Sequence, residues 1–174
     1  MDEEITFRKA VPADEQRSMQ IIDEAKAQMR SEGRDQWNEN YPTLNDIRND
    51  IAEGLGIVAT LNDKILAYGA VGFDCEPAYE HIKGNWLTTK PYIVVHRLAV
   101  ADEAKGHGVA SKFIEEVERI AEEKGVESFK VDTNFDNASM LHILKKLGFT
   151  YCGDIFFEGG NRMAFEKILH PNKV

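Results

Sequence analysis

The sequence predicts an α/β protein, in the broader sense that includes α+β folds, with helices on both faces of a mixed β-sheet. Three observations lead to this fold class. Short runs of strand-like residues alternate along the chain with longer runs whose apolar residues recur at helical spacing. The first and last pairs of short runs are joined by turn residues, which indicates hairpins. Two central short runs flank a helical run, which indicates a crossover connection.

Helices are predicted wherever apolar residues recur at steps of three and four. Pro12 and the acidic residues after it suit the start of the first helix, and Thr43 with Asp46 resembles a capping pair at the start of the second. The first predicted helix starts near Pro12 and runs to about Arg30. The other predicted helices cover 43–53, 111–124 and a short stretch that ends at Lys146.

Strands are predicted where apolar and polar residues alternate, or where apolar runs lie between turn residues. Asn62-Asp63 forms one such hairpin turn and Gly159-Gly160-Asn161 another. Residues 76–90 contain Pro77, Gly84 and Trp86 without a regular period, so we expect an irregular excursion there. The predicted strands cover 5–8, 57–61, 64–71, 92–100, 129–133, 151–157 and 162–169.

The amino-acid composition limits which classes of function this chain can have. The 174 residues, 43% of them hydrophobic, suit a single domain spanning 1–174. The formal net charge of −9 argues against a nonspecific nucleic-acid or membrane binder. No run approaches the roughly 18 apolar residues of a membrane span, and the start is acidic, so we expect a cytoplasmic protein. Cys75 and Cys152 are too few and too far apart for a zinc site, so no metal is implied.

The segment from Lys105 to Ala110 is the most informative part of the chain. It follows the strand predicted over 92–100 and precedes the helix predicted over 111–124. Gly106 and Gly108 remove side chains where backbone N–H groups can surround a ligand, and the helix start adds a partial positive charge. The loop lacks the ending of a P-loop and the third glycine of a dinucleotide fold. The pattern favours a pyrophosphate-bearing cofactor.

Two blocks of sequence resemble the GNAT acyltransferases. Lys105-Gly106-His107-Gly108-Val109-Ala110 resembles the Arg/Gln-x-x-Gly-x-Gly/Ala loop of that family, with Lys in place of the usual Arg or Gln. Asn137, followed by a short helix and Gly148-Phe149, resembles the family's Asn…Gly-Phe block. The resemblance implies a mostly antiparallel seven-stranded sheet in which two central strands splay apart around the cofactor.

The same resemblance implies acetyl-CoA as co-substrate and assigns its contacts. Backbone amides of Lys105, Gly106, His107, Gly108, Val109 and Ala110 would hold the pyrophosphate. The backbone of Leu98, Ala99 and Val100 would hold the pantetheine arm, and Asn137 its distal part. The family often places a Tyr as general acid four residues before the Gly of Gly-Phe. That position is Leu144 here, so a Tyr general acid at this point is excluded.

His96 is the candidate base for an acyl transfer to an amine. It lies in the strand before the loop, where the family often places a base, and an imidazole ordinarily titrates near neutral pH. Strand alternation would put Val94, His96, Leu98 and Val100 on one face of the sheet. A His satisfied by hydrogen bonds in the core is the alternative. Arg97, on the other face, would pair with a carboxylate.

The acceptor is an amine-bearing small molecule or peptide that the sequence does not identify. Trp37, Tyr41 and Trp86 lie in predicted loops, where they are candidates for the acceptor pocket or for lids on the core. Asp132 and Asp136 could hold a cationic acceptor, with Asp136 preferred as a helix cap. A catalytically idle acyl-CoA sensor and a nucleotide-phosphate-binding module are the alternatives. The last hairpin suggests a homodimer.

Overall fold

Four α-helices and eight β-strands form the part of the chain that the computed structural model describes, residues 4–157 and 160–170. The helices are α1 (Glu15–Ser31), α2 (Leu44–Ala52), α3 (Val109–Glu123) and α4 (Ala138–Lys146). The strands are β1 (Thr6–Lys9), β2 (Gly56–Leu61), β3 (Lys64–Phe73), β4 (Lys83–Gly84), β5 (Tyr92–Val100), β6 (Ser128–Thr133), β7 (Thr150–Phe157) and β8 (Gly160–Ile168).

The strands form one sheet in the order β1-β2-β3-β5-β6-β8-β7-β4. Strands β5 and β6 run parallel, whereas the registers of β1 with β2, β2 with β3, and β6, β7 and β8 are antiparallel. The predicted mixed, mostly antiparallel sheet is confirmed. It has eight strands instead of seven because the two-residue β4, inside the predicted excursion, pairs with β7. Gly159, in the predicted last turn, lies outside the described residues.

Packing divides the chain into two compact units. The first unit comprises Met1–Val71 and His96–Phe113. Its core is formed by side chains that are completely buried, among them Ile21 of α1, Ile47 of α2 and Phe113 of α3. The ring of Phe113 meets that of Phe7 edge to face, with 5.5 Å between the ring centroids. Ile22 and Met29 of α1 are buried in the same core.

The second unit comprises Gly72–Val95 and Ile114–Val174. Phe129 of β6 packs edge to face on Phe149, with 5.0 Å between the ring centroids. Leu144 of α4 is completely buried. A separate apolar cluster forms around Tyr79, which belongs to a 3₁₀ turn at Pro77–His81 inside the excursion. The excursion is therefore partly ordered and contributes to the core of this unit.

Candidate active site

The predicted pyrophosphate loop has the backbone that its glycines suggested. Gly106 and Gly108 have φ angles of 82° and 73°, a left-handed conformation that favours glycine. A Cβ atom added at either glycine would meet no atom within 4 Å, and residues 106–108 are exposed. The loop leads directly into α3, which begins at Val109. Open space and free helix-start amides are thus combined at one place, as anion binding requires.

Polar contacts hold the chain just before this loop against the first unit. Arg17 and Lys64 both bind the carboxylate of Glu103, each at 2.5 Å. The ammonium of Lys105 lies 2.7 Å from Asp102 Oδ1 and also contacts Gln28 Oε1. An anion bound at the loop would therefore compete with Asp102 for the charge of Lys105.

His96, the candidate base, lies half-buried in β5. Burial, helped by the positive charge of Arg97, lowers the pKa of His96 to about 4, although Asp50 opposes the shift. The expectation that this imidazole titrates near neutrality is therefore not met. His96 is uncharged at neutral pH and accepts a proton only weakly.

Arg97 has a backbone conformation that is unusual for a strand. Its φ angle is 54°, and a left-handed residue inside a strand interrupts the alternation of side chains, as in a β-bulge. The predicted single face from Val94 to Val100 therefore does not hold across Arg97. This conformation comes with a buried ion pair, because Arg97 Nη2 lies 2.5 Å from Asp50 Oδ1. The predicted pairing of Arg97 with a carboxylate is confirmed.

The ion pair between Asp50 and Arg97 forms hydrogen bonds with two tyrosines in the first unit. The hydroxyl of Tyr68 donates to Asp50 Oδ2 at 2.6 Å. Arg97 Nη1 donates to the hydroxyl of Tyr41 at 2.9 Å, and Tyr41 is 40% exposed. Trp37, by contrast, is only 7% exposed and belongs to the core. Of the two aromatic candidates in this loop, only Tyr41 offers its ring to solvent.

Asn137, the candidate pantetheine contact, caps helix α4. Its side-chain oxygen accepts a hydrogen bond from the backbone N–H of Met140 at 3.2 Å. The preference for Asp136 as the cap is therefore wrong, since Asp136 instead accepts a hydrogen bond from the side chain of Asn134. The geometric reason is position: Asn137 is the residue immediately before the first helical residue, Ala138.

An open cavity of about 660 Å³ lies in the second unit, beside the excursion. Trp86 lines it together with Tyr79 and Tyr92, and the centroid of the Tyr79 ring lies 5.1 Å from that of Trp86. The indole N–H of Trp86 donates to the carbonyl of Tyr79 at 2.8 Å, which fixes the ring. Lys130 of β6 also lines the cavity. Trp86 is therefore the candidate acceptor residue that lines a defined cavity.

Asp132 lies on the same face of β6 as Lys130 because the two residues are two positions apart along the strand. The hydroxyl of Tyr79 donates to Asp132 Oδ2 at 2.6 Å. Burial raises the pKa of Asp132 to about 6, although the bond from Tyr79 and the charge of Arg162 oppose the shift. A carboxyl group with this pKa exchanges protons near neutral pH. Sequence reasoning named Asp132 only as a charge and missed Tyr79, whose excursion has no regular period.

Neither a metal centre nor a membrane span emerges from residues 4–157 and 160–170. No group of three or more His, Cys, Asp or Glu side chains there could hold a metal ion. In that same part of the chain, no helix is both long and apolar enough to cross a membrane.

The sequence matches the model of the acetyltransferase (GNAT) family over residues 20–149, and the chain belongs to this family. Members of the family use acetyl-CoA as the acetyl donor. The matched range includes the glycine loop and ends at Phe149. Among curated proteins, a search finds no significant match.

Solved structures agree with this assignment. A GNAT family acetyltransferase from Streptococcus agalactiae is 34% identical, with a TM-score of 0.87 and coverage of 97% of this chain and 99% of that one. One from Listeria monocytogenes is 16% identical, with a TM-score of 0.77 and coverage of 97% and 99%. The ribosomal-protein-alanine N-acetyltransferase of Brucella melitensis is 21% identical, with a TM-score of 0.67 and coverage of 94% and 99%. The latter two show the fold alone.

Proposed function

We propose that this chain is an acetyl-CoA-dependent N-acetyltransferase in which the amine of the acceptor attacks the thioester directly, in a ternary complex. The observation that carries this proposal is the open loop with left-handed Gly106 and Gly108 at the start of α3. Residues 105–110 would bind the pyrophosphate of acetyl-CoA. The backbone of Leu98, Ala99 and Val100 would bind the pantetheine arm, and Asn137 its distal part.

Two groups of this chain are candidates for accepting the proton of the acceptor ammonium. A general base works best when its pKa lies near the working pH. The pKa of about 6 for Asp132 meets this condition better than the pKa of about 4 for His96. His96 would place a limb of the pH–rate profile near pH 4, and Asp132 would place one near pH 6. Profiles of H96A and D132N separate the two roles.

The cofactor is tested by calorimetric titration with acetyl-CoA, CoA and ATP. We expect wild type to bind both CoA species, and Gly108→Trp to lose them because the indole would fill the open space above the loop. Gly125→Trp is the matched control, since Gly125 has a φ angle of 71° and equally open surroundings. Absence of CoA binding to wild type would refute the proposal, and tighter binding of ATP would favour a nucleotide-binding module.

A catalytically idle acyl-CoA sensor is the second candidate, and Leu144 is the observation that favours it. An aliphatic side chain that is completely buried cannot protonate the departing thiolate. Turnover of acetyl-CoA with any member of an amine panel would exclude the sensor.

The acceptor, the assembly and the location remain predictions of this proposal. The acceptor would be an amine-bearing small molecule or peptide, bound with the help of Tyr41 or Trp86, whereas Trp37 is buried in the core. The functional form would be one domain spanning 1–174 in a cytoplasmic homodimer. Light scattering should return twice the mass of the chain.

A further inference from the structure

Lys130 is a buried lysine that lines the aromatic cavity of the second unit. It lies in the middle of β6, opposite Val94 of β5 on one side and Glu166 of β8 on the other. The residue is only 5% exposed, yet it forms part of the cavity wall. A lysine so far removed from bulk water is uncommon unless its charge is paired.

Aromatic rings surround the ammonium group of Lys130. Its Nζ atom lies 4.4 Å from the ring centroid of Trp86 and 4.6 Å from that of Tyr92. Within the described part of the chain, no oxygen atom accepts a hydrogen bond from this nitrogen. The ammonium therefore has N–H donors to offer to the cavity, and it is held in place by two ring faces.

The nearby carboxylates are engaged elsewhere. Glu166 accepts hydrogen bonds from the backbone of Leu87, the hydroxyl of Thr88 and the hydroxyl of Ser128, at 2.7 to 2.8 Å. Asp74 accepts one from the backbone of Tyr92 at 2.9 Å. Burial lowers the pKa of Lys130, and the charges of Glu166, Asp74 and Cys152 offset this only in part. Lys130 is thus a buried cation whose hydrogen-bonding capacity is unused.

We propose that Lys130 anchors a carboxylate group of a small acceptor whose apolar or aromatic body lies against Trp86, Tyr79 and Tyr92. The identification of this molecule as the acetyl acceptor rests on the proposed function. The binding of an aryl carboxylate in the cavity is independent of it. The volume of about 660 Å³ suits a small molecule. A charge-assisted bond to the ligand would satisfy donors that the protein leaves unused.

The charges around the cavity extend the inference to the class of acceptor. Asp74 and Glu80 line the cavity together with Lys130, and both are exposed. An acceptor that carries both groups could direct its carboxylate to Lys130 and its ammonium to these carboxylates. The expected class is therefore an amino carboxylate, such as a free amino acid, and not a simple monoamine.

Three probes with the same phenyl ring test the anchor by calorimetric titration: 3-phenylpropanoate, phenylalanine and phenethylamine. We expect both carboxylates to bind wild type, and to lose at least about tenfold in affinity in Lys130→Met, which keeps the length of the side chain but removes its charge. Phenethylamine, which has no carboxylate, should not lose affinity in this variant. Lys130→Arg should retain most of the affinity for the carboxylates.

Lys167→Met is the matched control, because Lys167 also lies near an aromatic ring, that of Phe149, but outside the cavity lining. The proposal is overturned if neither carboxylate binds wild type, or if Lys130→Met binds them as tightly as wild type does. It is also overturned, without any variant, if phenethylamine binds wild type more tightly than 3-phenylpropanoate. Titration of the same wild type with acetyl-CoA keeps this result separate from the proposed function.

Discussion

At the scale of single residues, the buried ion pair between Arg97 and Asp50 offers the sharpest test of stability. Asp50 accepts bonds from Arg97 and from Tyr68, and its side chain is only 5% exposed. Asp50→Ala would leave a largely buried guanidinium without its counter-charge, so we expect a loss of about 3 kcal/mol or more in the free energy of unfolding. Urea denaturation of wild type and Asp50→Ala measures this difference in the free energy of unfolding.

The control for that prediction is Glu123→Ala. Glu123 pairs with Arg119 on the exposed surface of α3, and its side chain is 67% exposed. Exposed pairs of this kind contribute about 0.5 kcal/mol or less. Equal losses in the two variants would show that the Asp50 network does not stabilise the fold as described.

Asp132 gives a prediction about pH. Its pKa is raised from 3.8 to about 6, so the folded state holds the proton more tightly than the unfolded state does. The resulting stabilisation is present below pH 3.8 and is lost as the pH rises through 6. Asp132→Asn removes this dependence and still accepts the bond from Tyr79. Its stability relative to wild type should therefore increase from pH 4 to pH 7, by about 2 kcal/mol.

The stability contributed by His96 depends on pH in the opposite direction, so the same experiment distinguishes it from the contribution of Asp132. Its pKa is lowered from 6.5 to about 4, so its stabilisation is present above pH 6.5 and is lost as the pH falls through 4. His96→Gln should therefore lose stability relative to wild type as the pH rises.

For the Asp132 prediction, the remaining groups that act on the pKa of Asp132 are Arg162 and Glu76. A flat difference between Asp132→Asn and wild type would contradict the raised pKa.

At the scale of elements, strand β4 depends on two glycines that touch. Gly84 and Gly153 face each other across β4 and β7, with φ angles of 142° and 147°. A Cβ atom at Gly153 would stand 2.3 Å from the carbonyl oxygen of Lys83. Gly153→Ala should therefore separate the two strands and cost about 3 kcal/mol or more, because strain and a backbone clash add.

Hydrogen exchange localises that effect. The amide of Asn85 donates to the carbonyl of Cys152 at 3.0 Å and should lose its protection in Gly153→Ala. Gly33→Ala serves as the control, because Gly33 has a φ angle of 72° with no atom within 4 Å of an added Cβ. There we expect only the cost of the left-handed backbone, about 1 kcal/mol. Unchanged exchange at Asn85 would contradict the close approach.

At the scale of the whole molecule, binding of acetyl-CoA should stabilise the folded state by mass action. A ligand present at about 100 times its Kd adds about 2.7 kcal/mol, which for a chain of this length raises the Tm by roughly 5 °C or more. Scanning calorimetry should show this increase for wild type and for Gly125→Trp, and not for Gly108→Trp. An equal increase in Gly108→Trp would place the cofactor away from the loop.

Local patterns predicted most of the elements and the glycine loop before α3. Strand β5 covers Tyr92–Val100, as predicted, and α1 ends at Ser31, one residue beyond the predicted end. Strand β4 was not predicted because a strand of two residues is too short to show an alternation of apolar and polar side chains. It forms only through its pairing with β7. The ordered turn at Pro77–His81 escaped for a similar reason. Its contacts with β6 span 53 residues of sequence.

By itself, the sequence determined the order of helices and strands, the glycine loop that opens α3, and the absence of a Tyr at Leu144. These features follow from side-chain periodicity and from backbone conformations that only glycine adopts easily, which are properties of neighbouring residues. Only the tertiary structure decided that His96 is a weak base, that Asp132 titrates near pH 6 and that Lys130 faces an aromatic cavity. Proton affinity depends on burial and on charges brought from distant parts of the chain, which no local pattern contains.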